Sequence, residues 1–262
     1  PALLITLGNQ IISKRIKAIL RERKPQHHWH IDPDSPHPNT FQALTRSINS
    51  EPVDFLQSLL PDLPKIESDY QKTLRAWDRT IDEAHQEYLN GARFSDLKAV
   101  EAVLHAIPSD YNLQLGNSAS VRYVQLFKHG RARKCNCNRG TSGIDGCTST
   151  AMGAAAMTGE PTVLLTGDMA FLYDSNAFWH PQVPSNLKIV VLNNGGGGIF
   201  RIIDGPQDDE ETEKYFEAHH SMTAGRVAEM YNLPYFEAHD HTDLEVKLDA
   251  LFSEDSGKPA IL

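Results

Sequence analysis

The sequence predicts an α/β protein: a three-layer, doubly wound, mostly parallel sheet preceded by a partial Rossmann-like segment. Short strand-like apolar runs alternate with segments whose apolar residues recur at helical spacing, which is the pattern of parallel sheets covered by helices. The chain has 262 residues, 40% of them apolar, so it can bury a sizeable core. Neither an internal repeat nor a low-complexity tract breaks the alternation.

The first 64 residues have the pattern of half a doubly wound unit. Strands are expected at residues 3–6, 27–31 and 41–45. Helical spacing of apolar residues predicts a helix over residues 11–20, and a later helix is expected to begin after Ser50 as its N-cap. Alternation along the second strand turns His27 away from His28, which argues against a metal site there.

Residues 61–64, Pro-Asp-Leu-Pro, are the best candidate for a linker, and a larger α/β region follows them. Helices are expected at residues 68–90, 95–106 and 175–182, and strands at 111–115, 161–166 and 188–192, with another strand opening at 259–262. The three tryptophans, Trp29, Trp77 and Trp179, are expected to be packing anchors.

Composition and charge exclude several classes of protein. The net charge of -9 argues against nucleic acid as a partner, because phosphate contacts need a basic face. No apolar run approaches the roughly 20 residues of a membrane span, and no signal peptide is recognisable. Three cysteines, Cys135, Cys137 and Cys147, form neither a disulfide framework nor a usual zinc site, so reduced thiols in a cytoplasmic protein are expected. The acidic run at residues 208–213 is expected to be solvated.

Two strand ends carry the clearest chemistry. One strand ends at Gly167-Asp168, and the next ends at Asn193-Asn194. The carboxyl ends of parallel strands meet at the ligand-binding edge of a doubly wound sheet, so Asp168 and Asn194 should supply two oxygen ligands there. A carboxylate and an amide oxygen suit a hard cation such as Mg²⁺.

Four glycines, residues 195–198, follow Asn194. Glycine allows positive φ and close approach of the backbone to a ligand, and the carbonyl of Gly196 is the candidate for a third ligand. A glycine run alone is more often a flexible turn, and it is the combination with Asp168 and the paired asparagines that indicates a cation site.

These motifs resemble a known enzyme family. Gly167-Asp168 with the paired asparagines resembles the thiamine-diphosphate signature, which begins Gly-Asp-Gly, although Met169 stands third here. Residues 138–146, Asn-Arg-Gly-Thr-Ser-Gly-Ile-Asp-Gly, resemble the 2-succinyl-5-enolpyruvyl-6-hydroxy-3-cyclohexene-1-carboxylate synthases, thiamine-dependent transferases of menaquinone biosynthesis. The resemblance is good from about residue 110 to the end and loose over the first 60 residues.

The resemblance implies roles at the strand ends. Asp168, Asn194 and the Gly196 carbonyl would bind Mg²⁺ or Mn²⁺, which would bridge two oxygens of thiamine diphosphate. The diphosphate would lie against Gly116, Asn117, Ser118, Gly167, Met169 and Ala170. The last two would offer the amides of a helix N-terminus.

The resemblance also implies a pocket for the reaction. The Gly143 carbonyl would accept a hydrogen bond from the cofactor's exocyclic amine, and Ile144 would wedge the cofactor into its bent form. Arg139 would bind a substrate carboxylate with its planar fork, and Ile199 and Phe200 would wall the pocket near the reacting carbon. The implied reaction decarboxylates 2-oxoglutarate and adds the resulting succinic semialdehyde carbanion to isochorismate.

The family's activating glutamate belongs to an N-terminal pyrimidine-binding domain contributed across a dimer interface, and no segment here matches that domain. Residues 1–64 correspond to the end of the central domain and residues 65–262 to the diphosphate- and metal-binding domain, so both chain ends look cut from a longer protein. We therefore expect the 262 residues alone to be inactive and to expose an apolar patch that drives self-association. The intact enzyme is expected to be a homodimer or tetramer.

Plainer interpretations of the same residues stay open. Arg139 could be a surface arginine, Ile144 could be ordinary core, and Asn117 and Ser118 could cap the following helix.

Two further pairs of polar residues lie outside these motifs. His219 and His220 could lie near the substrate, but a solvated helix end is favoured. Asp174 and Asn176 are expected to start the short helix rather than bind metal.

Three other functions are compatible with this edge of the sheet. Another thiamine-diphosphate enzyme, such as an acetohydroxyacid synthase or a 2-oxoacid decarboxylase, would share the metal site but needs no carboxylate clamp like Arg139. A nucleotide-binding or interaction module would carry Gly-x-Gly-x-x-Gly after its first strand, where Gly116-Asn117-Ser118 stands instead. A magnesium-dependent phosphatase would need several carboxylates at the strand ends, where only Asp168 is clearly placed.

Overall fold

The computed structural model describes residues 2–8, 11–34, 39–128, 134–201 and 211–262. The chain divides into two compact units, Pro1–His85 and Gln86–Leu262. The division falls inside a long helix, Tyr70–Gly91, and not at residue 64. The correspondence of residues 1–64 to a central domain stays a prediction.

The first unit contains a small parallel sheet. Its strands are β1 (Leu3–Leu7), β2 (His27–Ile31) and β3 (Leu44–Ile48), in that order across the sheet. The helices that follow the strands are α1 (Lys14–Glu22), α2 (Pro52–Leu59) and the first part of α3 (Tyr70–Gly91). The predicted order of strands and helices is confirmed.

Two local predictions in this unit are wrong. The third strand begins at Leu44, not at residue 41, because Asn39 accepts hydrogen bonds from the amides of Ala43 and Leu44 and holds the intervening residues in a turn. Helix α2 is preceded by Glu51 at its N-cap without a side-chain hydrogen bond, while Ser50 Oγ donates to the Glu51 carbonyl.

The second unit is a five-stranded parallel sheet with helices on both faces. Its strands are β4 (Asn112–Leu115), β5 (Lys134–Cys137), β6 (Thr162–Gly167), β7 (Leu187–Leu192) and β8 (Ala260–Ile261). Its helices are α4 (Asp96–Ala106), α5 (Ala119–Val124), α6 (Cys147–Thr158), α7 (Asp168–Tyr173), α8 (Ala224–Tyr231) and α9 (His241–Ser253). The doubly wound fold class is confirmed, and so is the last strand.

The strand order β5-β4-β6-β7-β8 fixes where a ligand can bind. From β4 the chain moves outward to β5, returns to β6 on the other side of β4, and continues to β7 and β8. The winding therefore reverses between β4 and β6. In doubly wound sheets the crevice at such a reversal, at the carboxyl ends of the strands, is the usual ligand site.

Two helix layers bury the sheet. On one face Leu164 and Ile189 share a core with Ala151, Phe171 and Val227 from α6, α7 and α8. In the other layer, α4 packs against α5 and α9. These layers give the strand ends a rigid base.

Two of the three tryptophans are not packing anchors. Trp77 and Trp179 keep 64% and 76% of their surface exposed. Among the described residues, no helix combines the length and the apolar character needed to cross a bilayer.

Candidate functional site

Asp168 lies at the carboxyl end of β6, on the central crevice of the sheet. It is 3% exposed. Its Oδ2 accepts hydrogen bonds from the amides of Gly195 (2.7 Å) and Gly196 (3.1 Å), and its Oδ1 accepts one from Met169 N (2.6 Å). The carboxylate thus joins the end of β6 to the glycine loop after β7, as the crossover argument predicts.

Asn194 starts that glycine loop, and its side chain is held by Asp96. Its Nδ2 donates to Asp96 Oδ2 at 2.7 Å. Burial raises the pKa of Asp96 and the charge of Asp168 adds to this rise, while the hydrogen bond from Asn194 opposes it. The two carboxylates therefore lie close enough to affect each other.

The glycines of this loop are required for the conformation and packing of the loop itself, as well as for the close approach of a ligand. Gly195 and Gly196 have φ of 77° and 154°, which disfavour side chains. A Cβ on Gly196 would lie 2.6 Å from the Glu217 carbonyl oxygen. The Gly196 carbonyl, expected to be a metal ligand, accepts the Gly198 amide at 3.1 Å and keeps its second lone pair.

The turn after β4 is tightly packed against β6. A Cβ on Gly116 would lie 2.9 Å from Thr166 Cα, so only glycine fits where the two strands separate. Ser118 has φ 72° and makes no side-chain capping bond to α5, so the capping interpretation of this residue is not borne out. The three-residue turn therefore begins at the carboxyl end of β4, beside the end of β6.

Asn117 organises the segment that carries Gly143. Its Nδ2 donates to the carbonyls of Asn138 (2.8 Å) and Gly143 (2.6 Å), and its Oδ1 accepts Arg139 NH1 at 2.9 Å. Asn117 is 1% exposed. The side chain therefore spans two loops instead of capping α5.

Arg139 is not a plain surface arginine, since it is half-buried and its Nε makes no hydrogen bond among the described residues. Sequence reasoning missed its neighbour, Arg122 on α5. Burial lowers the pKa of Arg122, and the charge of Arg139 lowers it further. Two guanidinium groups whose charges influence each other attract an anion, and no local pattern in the sequence marks Arg122 as part of this site.

The remaining predicted residues border the same edge. Ile144 is half-buried, so it is not ordinary core, and Gly143 beside it is exposed. Ile199 is 9% exposed within a 3₁₀ turn, Gly198–Arg201, that also contains Phe200. Gly167, Met169 and Ala170 occupy the junction of β6 and α7.

The segment of residues 217–220, which contains His219 and His220, packs on the glycine loop. The Glu217 carbonyl accepts the Gly197 amide at 2.7 Å, and the His220 amide donates to the Gly195 carbonyl at 3.0 Å. The Glu217 carboxylate accepts two hydrogen bonds from Arg201, at 2.7 and 2.6 Å. These bonds and the nearby His219 lower the pKa of Glu217.

His220 does not lie at a solvated helix end, contrary to the favoured interpretation. Its Nε2 is buried, makes no hydrogen bond among the described residues and lies 3.5 Å from Asp168 Oδ2. His219 is about half-exposed and contacts the Gly195 carbonyl.

Asp174 has a structural role. Its backbone begins the short 3₁₀ helix Ser175–Trp179, as predicted, while its buried carboxylate accepts two hydrogen bonds from Ser149 on α6. Most of the acidic run, Asp208, Asp209 and Glu210, lies outside the described residues.

The three cysteines are free thiols, and burial raises the pKa of Cys137 to about 11. No group of three histidine, cysteine, aspartate or glutamate side chains with metal-binding geometry occurs in the described part of the chain. A metal bound at this edge of the sheet would instead be coordinated by carboxylate, carboxamide and backbone carbonyl oxygens.

The donor set of this edge fits a hard cation and an attached phosphate. A buried carboxylate, a carboxamide and a glycine carbonyl are oxygen donors of the kind that Mg²⁺ accepts beside phosphate oxygens. Since Asp96 binds the Asn194 amide nitrogen, the Asn194 oxygen remains as an acceptor, and no described residue donates to it.

Comparisons with known proteins agree with this chemistry. Residues 116–262 match the family model described as thiamine pyrophosphate enzyme, C-terminal TPP binding domain. Curated relatives named 2-succinyl-5-enolpyruvyl-6-hydroxy-3-cyclohexene-1-carboxylate synthase are 46% identical in Flavobacterium johnsoniae, 42% in Christiangramia forsetii and 40% in Porphyromonas gingivalis. Each match covers 100% of this chain and 47%, 45% and 47% of the relative, respectively. The chain thus spans about half the length of these relatives.

Proposed function

Since this chain belongs to the thiamine pyrophosphate enzymes and groups among them with the 2-succinyl-5-enolpyruvyl-6-hydroxy-3-cyclohexene-1-carboxylate synthases, we propose that it binds thiamine diphosphate with Mg²⁺ or Mn²⁺ where β4, β6 and β7 end. One observation carries the proposal: the buried Asp168 carboxylate is bonded to the glycine loop that begins at Asn194. Asp168, Asn194 and the Gly196 carbonyl would be the metal ligands.

The turn Gly116-Asn117-Ser118 and the junction Gly167-Asp168-Met169-Ala170 would bind the diphosphate from opposite sides of the crevice. The close packing of Gly116 on Thr166 supports this, because it leaves the backbone of the turn at the crevice. The Met169 amide already donates to Asp168, so its contribution would be to orient that ligand.

The Gly143 carbonyl and Ile144 would hold the aminopyrimidine end of the cofactor. The Gly143 carbonyl accepts a hydrogen bond from Asn117 at 2.6 Å, which fixes its direction while leaving a second lone pair for an amine. Asn117 would thereby couple the diphosphate end of the site to the ring end.

The whole enzyme's reaction is also a proposal. When bound, thiamine diphosphate supplies the electron sink for decarboxylation of 2-oxoglutarate and addition of the resulting succinic semialdehyde carbanion to isochorismate. Arg139, joined by Arg122, would bind a substrate carboxylate, and Ile199 and Phe200 would exclude water from the reacting carbon. An acetohydroxyacid synthase or 2-oxoacid decarboxylase activity is less favoured, because a pair of guanidinium groups suits a substrate with an additional carboxylate.

Further partners belong to the same proposal. We infer a homodimer or tetramer for the intact enzyme, in which a pyrimidine-binding domain contributes the activating glutamate. The free thiols support a cytoplasmic location.

We expect the 262 residues alone to bind cofactor without releasing ¹⁴CO₂ from labelled 2-oxoglutarate, and robust release would contradict this division of roles.

Calorimetric titration with thiamine diphosphate, with and without Mg²⁺, tests the proposal. Binding should require Mg²⁺ and should be lost in Asp168→Ala, while Asp110→Ala, which removes an exposed acid from the same unit, should bind like the unchanged chain. Metal-independent binding, or equal binding by the Asp168 variant, would overturn the proposed site.

A further inference from the structure

Asp96 reaches the candidate metal site from a helix that carries none of its motifs. It lies in the first turn of α4, 98 residues before Asn194, and its Oδ2 accepts the Asn194 side-chain amide at 2.7 Å. Helix α4 is anchored by Val100 and Val103, both 0% exposed. A loop residue is therefore tied to a rigid element of the core.

This hydrogen bond determines which end of the Asn194 carboxamide faces the site. A carboxylate only accepts hydrogen bonds, so the amide nitrogen must face Asp96. The reversed carboxamide would place two acceptor oxygens against each other at hydrogen-bonding distance, which is repulsive. The Asn194 oxygen must then face away from Asp96, and no described residue donates to it.

We propose that Asp96 is a positioning residue that holds the Asn194 carboxamide with its oxygen directed at the metal. The inference rests on the proposed function, because it assumes that Asn194 is a ligand. Groups behind the ligands of a metal orient them, and their loss commonly weakens metal binding about 10- to 100-fold. Without Asp96, the carboxamide would rotate and offer oxygen only part of the time.

Two variants separate orientation from charge. Asp96→Ala removes the acceptor, whereas Asp96→Asn keeps an oxygen acceptor and loses the charge. At fixed thiamine diphosphate, we expect Asp96→Ala to raise the Mg²⁺ concentration needed for half-maximal calorimetric binding about tenfold or more, and Asp96→Asn to restore most of the affinity. Glu101→Ala, which removes another acid from α4, is the matched control and should leave the midpoint unchanged.

A second readout needs no cofactor. Nuclear magnetic resonance of the side-chain amide of Asn194 in the metal-free chain should show slow exchange of the Nδ2 hydrogens that becomes faster in Asp96→Ala and stays slow in Asp96→Asn. Circular dichroism melting identifies any variant that fails to fold.

The outcomes distinguish this inference from the proposed function. If the unchanged chain shows Mg²⁺-dependent binding and Asp96→Ala binds equally well, the inference alone fails. If Asp96→Asn is as weak as Asp96→Ala, the effect is one of charge and the positioning role is wrong. If the unchanged chain shows no Mg²⁺-dependent binding, the proposed function fails and this inference fails with it.

Discussion

At the scale of single residues, Gly116 shows how the crevice is built. Its missing side chain lets the end of β4 lie directly on Thr166 of β6, where an added Cβ would be 2.4 Å from Thr166 Oγ1 and 2.9 Å from Thr166 Cα. Backbone atoms cannot rotate away as the end of a flexible side chain can. The packing of the site therefore depends on this glycine, which is also a proposed cofactor contact.

We expect Gly116→Ala to reduce the free energy of unfolding by about 1–3 kcal/mol, the usual range for forcing an extra methyl group into a packed interior. Gly153→Ala is the matched control: Gly153 lies inside α6, a Cβ there meets no atom within 4 Å, and alanine should stabilise the helix by up to about 1 kcal/mol. Urea titration of both variants measures this, and an unchanged midpoint for Gly116→Ala would contradict the packing argument.

The sequence predicted the candidate metal ligands but not the residues that hold them and the surrounding site in place. Asp168 and Asn194 could be predicted because strand ends of one parallel sheet meet at one edge. Asp96, Arg122 and Glu217 could not, because each reaches the edge from a different element through tertiary packing that no local pattern encodes.

At the scale of elements, the segment after the glycine loop is held down by an ion pair between the buried Glu217 and the exposed Arg201. Glu217 is 4% exposed and accepts two hydrogen bonds from Arg201, a geometry that fixes both side chains. The same segment bonds to the glycine loop through its backbone. A weaker ion pair should therefore loosen the loop that carries the Gly196 carbonyl.

Glu217→Gln should expose these amides to exchange. We expect faster deuterium uptake in peptides covering residues 195–201 and 214–220, while the core strand β6 stays protected, because local opening precedes global unfolding. Glu229→Gln, which alters an exposed ion pair with Arg226, should change neither peptide. Equal uptake in all three proteins would show that the ion pair does not hold the segment.

The small sheet of the first unit contains a buried polar cluster that should make it sensitive to acid. His28 and His30 are 1% and 2% exposed, and both hydrogen bond to Thr6 Oγ1, at 2.8 and 2.9 Å. Burial lowers the pKa of His28 below its ordinary value of 6.5, and the neighbouring His30 adds to this. The predicted alternation of His27 and His28 is confirmed, since His27 is exposed.

The sign of the pH effect follows from that shift. In the unfolded chain His28 takes up a proton as the pH falls below 6.5, whereas in the folded chain it does so only at a lower pH. The contribution of neutral His28 to stability is therefore complete above pH 6.5 and decreases as the pH falls below that value. Hydrogen exchange of peptides covering residues 3–7 and 27–31 should accelerate between pH 7.5 and 5.5, after correction for intrinsic rates. His28→Gln should reduce this dependence and His27→Gln should keep it; a pH-independent opening of the unchanged chain would exclude His28 as the cause.

Element predictions failed where tertiary contacts override local pattern. Phe41 has the apolar character of a strand residue, yet it is 1% exposed inside a turn held by Asn39. Strand β5 was missed because Lys-Cys-Asn-Cys carries no apolar alternation, and it exists through pairing with β4. The central strands were predictable because burial on both faces makes them continuously apolar.

At the scale of the whole molecule, the chain exposes large apolar side chains on helix α3. Helix α3 carries a stripe at helical spacing formed by Tyr70, Leu74, Trp77 and Ile81, which are 71%, 40%, 64% and 66% exposed. Contiguous apolar surface of this kind promotes association. The sequence predicted exposed apolar surface from a family resemblance, but the helix that carries it became evident only when burial was known.

We expect the purified chain to self-associate through this stripe, with a sedimentation coefficient that rises with concentration. Trp77→Glu and Ile81→Glu should each weaken association at least about tenfold, because a carboxylate buried in an apolar contact costs more than about 1.4 kcal/mol. Gln86→Glu adds the same charge to the opposite side of α3 and should associate like the unchanged chain. If the unchanged chain sediments as a monomer at every concentration, α3 is not an association surface; if all three variants weaken association equally, net charge and not the stripe controls it.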